Sequence, residues 1–137
     1  MKDKKTIAKM MPYSLEAEQA VIGCALIDNE AVISIMGALK EDDFYTEAHQ
    51  TIFSVMEELY ATNTPIDFVT VTDSLEKKNI LGTVGGISYI TTLTDVVPSA
   101  ANHKSYVEIV KRNSVLRKLI YAGQKIVENS YDSEDAK

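Results

Sequence analysis

Three glycines within five residues, Gly82, Gly85 and Gly86, are the first place in this chain to look for chemistry. A glycine-rich turn can cradle phosphate when it ends in Lys-Ser or Lys-Thr, because the lysine must reach the phosphates. Here Ile87 and Ser88 follow, and no lysine occurs before Lys104. A dinucleotide fingerprint needs a preceding strand and G-x-G-x-x-G spacing, and neither is present. The preferred reading is a joint: Gly82 ends one helix, and Gly85-Gly86 turns the chain tightly into the next.

The other reactive residue types are sparse. His49, His103 and the lone Cys24 have no metal-ligand spacing. His49 borders the apolar Ile52-Phe53 face and reads as a packed or capping residue, and His103 as a solvent-facing residue at a helix start. Cys24 lies in AVIGCALI and reads as a buried free thiol. Glu16 and Glu18 are two apart and point to different sides of a helix, which makes a poor acid–base pair. Glu41-Asp42-Asp43 lacks the spaced pattern of a calcium loop and reads as a solvated helix start. The seven tyrosines suit protein interfaces as well as a core.

The elements that would hold these residues read as helices throughout. Ser14 suits the N-cap of a helix over 15–27 that is apolar on nearly every face, with Gly23 allowing close approach. Asp28-Asn29-Glu30 turns into a second helix with Val32, Ile35, Met36 and Leu39 inward. A third helix over 46–60 places Ile52, Phe53, Met56, Leu59 and Tyr60 at helical spacing. Asp67 caps a fourth; its VTVT alternates as a strand would, but DSLEKKN keeps the helical period. A short helix over 87–93 carries Tyr89 and Leu93. From Ser99, with Ser99 or Asn102 as cap, a long helix runs to about 129 with an apolar stripe of Ile109, Leu116, Leu119, Ile120, Gly123, Ile126 and Val127. At ~1.5 Å per residue it outreaches the rest of the molecule and needs a partner for that stripe. Residues 131–135 read as a turn into a further helix that the sequence does not complete.

With 137 residues and 45% hydrophobic composition, the chain can bury a real core. No apolar run approaches the ~20 residues of a membrane span, and no signal-peptide core follows the basic start. Charge is unevenly spread. Residues 10–101 carry fourteen acidic against three basic residues, and residues 102–130 carry six basic against two acidic. The acidic body disfavours nucleic acid at long range. The basic segment, with Lys104, Lys111, Arg112, Arg117, Lys118 and Lys125, leaves a nucleic-acid-binding helical module open as the alternative function. The expected organisation is an all-α chain: a lead-in over 1–12, a helical bundle over 13–98, a long arm over 99–130, and a turn with a truncated second arm over 131–137.

Four stretches occur in an order and spacing that resembles the N-terminal domain of the bacterial replicative DNA helicase, the DnaB family. They are AEQAVIGCALID, EDDFYTEAHQTIF, PIDFVTVTDSLEKKNIL with VGGISYITTL, and PSAANHKSYVEIVKRNSVLRKLI. The resemblance covers residues 12–137. It implies a bundle followed by a helical hairpin, of which the long helix is the first arm, and hairpin pairing between subunits of a hexamer in the cytoplasmic replisome. It implies no cofactor and no catalysis in this region; ATP, magnesium and most DNA contact would belong to a separate C-terminal motor domain. The implied partners are a second copy of the chain, the helicase-binding domain of a DnaG-type primase and, less directly, a helicase loader. Carried onto this sequence, primase docking falls to Glu16, Tyr89, Ile120 and Ile126. Self-association falls to Ile109, Leu116, Leu119, Ile120, Gly123 and Val127. Tyr89 would serve equally well as a residue packed inside its own domain.

Overall fold

The computed structural model describes residues 10–135. Most of the lead-in expected over 1–12, and the last two residues, lie outside the described residues. What is described is helical. α1 spans Leu15–Ile27, α2 Asn29–Ala38, α3 Glu47–Ala61, α4 Phe68–Lys77, α5 Gly86–Asp95 and α6 His103–Asp135, with a single 3-10 turn at Glu41–Asp43.

α1 is the centre. Its residues from Ala17 to Leu26, apart from Gln19, are buried, because α2, α3, α5 and α6 all pack on it. An element enclosed on several sides has no polar face to present, which explains its apolar sequence. Ser14 caps it by accepting from the Ala17 amide at 3.1 Å. Asp28 then serves two helices: its amide donates to the Cys24 carbonyl, and its carboxylate accepts from the Glu30 amide at 2.9 Å. At Gly23, a Cβ would lie 2.4 Å from the Leu93 carbonyl oxygen, so the missing side chain is what lets α5 approach.

The remaining helices are amphipathic and face inward as their periodicity predicts. Ala31, Val32, Ile35 and Met36 of α2 are buried, as are Ile52, Phe53 and Met56 of α3, Val71 and Leu75 of α4, and Ile90 and Leu93 of α5. Asp67 and Thr70 cap one another reciprocally at the start of α4, at 2.9 and 3.0 Å, which favours helix over strand for VTVT. Tyr60 departs from expectation: it is 43% exposed. It lies in the last turn of α3, beside a surface groove it lines with Val32 and Ile33.

Two of the helix stops are made by asparagine. Asn63 and Asn79 take left-handed φ values of 56° and 60°. At each, the asparagine's own amide and the next one bond back, Asn63 to Tyr60 and Thr64 to Leu59, Asn79 to Glu76 and Ile80 to Leu75. α4 therefore ends before Gly82, which does not act as its stop. Gly85 and Gly86 do turn the chain into α5, with φ of 115° and 75°.

α6 is 33 residues long, or ~50 Å. It starts at His103, with the Asn102 carbonyl accepting from the Tyr106 amide, and His103 Nδ1 rests on the Ala100 carbonyl at 2.9 Å. Residues 131–135, expected as a turn, continue this helix. Its first half, through Tyr106, Val107, Ile109 and Val110, packs on the bundle. Beyond Arg117 each residue through Ser133 is exposed.

Candidate functional site

Two buried polar clusters and one uncovered helix face stand out. The first cluster joins α1, α3 and α5. Glu18 and His49 are both on inward faces, at 2% and 0% exposure. Glu18 Oε1 accepts from His49 Nδ1 at 2.8 Å and from the Thr46 amide at 3.3 Å, and Oε2 accepts from the Tyr45 amide at 2.7 Å. Burial pushes the Glu18 carboxyl up, but the His49 bond and the two amides outweigh it and hold it below its ordinary value. The carboxylate keeps a proton on the imidazole Nδ1 that faces it, and Nε2 bonds the Tyr89 hydroxyl at 2.6 Å. The phenol oxygen in turn accepts from Gln19 Nε2 at 3.2 Å. His49 is thus a packed residue, as its apolar neighbours suggested, and also the middle of a chain of bonds.

The second cluster pins the arm. Asp43 is buried rather than solvated, contrary to the reading of its acidic run. Its carboxylate accepts from the Ser114 hydroxyl at 2.6 Å and the Lys40 amide at 2.8 Å, with Lys111 and Lys118 at 3.3 and 3.5 Å. Burial raises this carboxyl, and the Ser114 and Lys40 bonds with the Lys111 charge outweigh that, leaving it below the ordinary range. Arg117 reaches past Asp43 to donate to its carbonyl at 2.8 Å and to the Pro12 carbonyl at 2.9 Å. Its guanidinium lies 5.4 Å over the Tyr45 ring, which stacks on Tyr13 at 4.4 Å. Three of the six cations considered for nucleic acid, Lys111, Arg117 and Lys118, therefore face acceptors within the domain. No pattern in the acidic run announces this. The available signal was Ser114 and Arg117, polar residues on the side of α6 that returns to the bundle, which need buried partners.

The remaining reactive groups are structural. Burial, then the Asp28 charge, pushes the Cys24 thiol up to about 11, which suits a core residue and not a nucleophile. Among the described residues no three His, Cys, Asp or Glu side chains gather as metal ligands.

The four residues assigned to docking are spread over α1, α5 and α6. Glu16 is exposed and borders a shallow groove with Ala20, Val97, Tyr106 and Ile109. Gln19, one helical turn along from Glu16, touches Tyr89, which is half-buried. Ile120 is one turn past Arg117 and 37% exposed; Ile126 is farther out and 66% exposed. Ile120 and Ile126 are ~9 Å apart along the helix and about 120° apart around it. Of the residues assigned to self-association, Ile109 packs against the domain's own core, whereas Leu116, Leu119, Ile120, Gly123 and Val127 are exposed. With Ile126 they form one stripe on the arm.

These features define a helical, arm-bearing domain whose buried charges hold its elements in place. The chain belongs to the DnaB-like helicase N terminal domain family, whose model matches residues 10–112. It is 42% identical over 127 residues to the replicative DNA helicase DnaB of Geobacillus stearothermophilus, covering 93% of this chain and 28% of that protein. The chain thus spans little more than a quarter of the length of such relatives. The crystal structure of the N-terminal domain of DnaB helicase from Mycobacterium tuberculosis is 36% identical, covering 92% of this chain and 90% of that one, with a TM-score of 0.88. A DnaB-like replicative helicase described with its interactions with primase aligns at 28% identity over 85% of this chain and 27% of that one, with a TM-score of 0.77.

Proposed function

We propose that this domain assembles and recruits for a replicative helicase: its arm pairs with a second copy of the chain, and its α1–α5–α6 side docks the helicase-binding domain of a primase. The observation that carries the reading is the arm itself. Leu116, Leu119, Ile120, Ile126 and Val127 make an exposed apolar stripe on a helix that has left its bundle. A soluble domain that builds such a face covers it with protein. In the full-length protein, ATP, magnesium and DNA belong to a motor outside this region, and a helicase loader is a further partner at the bacterial replisome.

Glu16, Tyr89, Ile120 and Ile126 are the docking residues in this reading. Glu16 supplies charge at the groove, and Ile120 and Ile126 supply apolar anchors within a polar rim. Titration of the cognate primase domain into wild-type protein and into Glu16→Ala tests it, with the mass of each variant recorded. Loss of a true hot spot weakens the complex about thirtyfold. Wild-type affinity in Glu16→Ala, Ile120→Ala and Ile126→Ala together would move the docking face elsewhere.

A further inference from the structure

We propose that Glu18 and His49 are positioning residues for Tyr89, holding its ring in one orientation at the domain edge before any partner arrives. The proposal rests on the docking reading above and says how that site is prepared. Four restraints converge on this one side chain. His49 Nε2 bonds the hydroxyl at 2.6 Å, and Gln19 Nε2 donates to the same oxygen at 3.2 Å. The imidazole and phenol rings are nearly coplanar, at 10°. Gly85 closes the fourth side: a Cβ there would stand 2.6 Å from Tyr89 Cβ and 2.9 Å from its Cγ. The glycine therefore does more than permit its left-handed φ of 115°; it leaves the space in which the tyrosine sits.

The arrangement is more than packing requires. A half-buried tyrosine can leave its hydroxyl in water, and an apolar residue at position 49 would fill the core without reaching it. Burying Glu18 and His49 together has a desolvation cost; the carboxylate is held by the Tyr45 and Thr46 amides, and the imidazole carries that fixed point on to one phenol. Fixing a contact side chain in advance lowers the ordering cost of binding.

The test uses this chain with ring-labelled tyrosine, read by NMR, and the primase domain as ligand, read by calorimetry. Tyr89→Phe assigns the Tyr89 ring signals by their loss. In His49→Phe those signals should shift and broaden with the fold intact, and binding should weaken about three- to tenfold. His49→Gln, which can still bond the hydroxyl, should recover part of the loss. Tyr89→Phe should lose a similar amount, and the double variant should be no weaker than the weaker single variant. Should His49→Phe fail to fold, Gln19→Leu carries the ring comparison and Tyr89→Phe the affinity comparison. Unchanged ring signals in folded His49→Phe overturn the proposal, as does a loosened ring with unchanged affinity. Wild-type affinity in Tyr89→Ala overturns the docking reading at this residue instead. The two failures are distinct because the ring signals are read without ligand.

Discussion

Asp43 concentrates more of the arm's attachment than any other side chain described. It accepts from Ser114 and from the Lys40 amide, and draws in Lys111 and Lys118. Asp43→Ala should cost about 1–3 kcal/mol by leaving the Ser114 hydroxyl and the Lys40 amide without their acceptor; thermal melting checks this, and an unchanged midpoint would contradict it. A pH dependence follows with a definite sign. The ordinary values are 4.5 for Glu18 and 3.8 for Asp43, and the fold lowers both. Between the folded and unfolded values the unfolded chain binds more protons, so stability rises with pH there. The contribution is fully present above the unfolded values and is lost as pH falls through the folded ones. Melts between about pH 6 and about pH 3 should therefore drop steeply for wild type and less so for Asp43→Asn; equal slopes would remove Asp43 from the account. Neither carboxylate's role was legible in the sequence, because an acidic run reads as solvated wherever its partners lie some seventy residues away (Asp43 to Ser114). His49 was half legible: its apolar neighbours announced burial, but not the Glu18 and Tyr89 bonds.

At the scale of elements, close approach matters more than propensity. Gly23→Ala would drive a Cβ into the Leu93 carbonyl, a backbone atom that cannot swing aside. The expected cost is about 1–3 kcal/mol of stability, although alanine is the better helix former; denaturant unfolding reads it, and a more stable variant would show that α1 and α5 can separate freely. The helices themselves were largely legible. Ser14, Asp28 and Asp67 cap where capping chemistry put them, and apolar spacing named the inward faces. The stops were less so. Gly82 looked like the end of α4, but Asn79 takes the left-handed position two residues after Lys77 and ends it earlier. Asparagine tolerates that conformation without the signal that glycine gives. The acidic, serine-containing stretch after Tyr131 suggested a turn, yet nothing in it forbids helix, and α6 continues through Asp135.

For the whole molecule, the division between body and arm decides what it can do. The bundle closes its own core around α1, while α6 carries an apolar stripe from Leu116 on past its last anchors at Arg117 and Lys118. Such a stripe is a poor surface to leave in water, and its site on a single helix favours pairing with a like helix. The most direct measurement is sedimentation equilibrium of this chain over a concentration series, beside Leu116→Asp and Ile120→Asp. The account predicts that wild type moves from monomer toward dimer or higher mass as concentration rises through the micromolar range. Both variants should remain monomeric, with helicity and melting of the bundle unchanged, because both side chains are exposed and outside the core. A wild-type chain that stays monomeric at high micromolar concentration, or variants that associate as wild type does, would contradict the claim that the arm is a pairing surface.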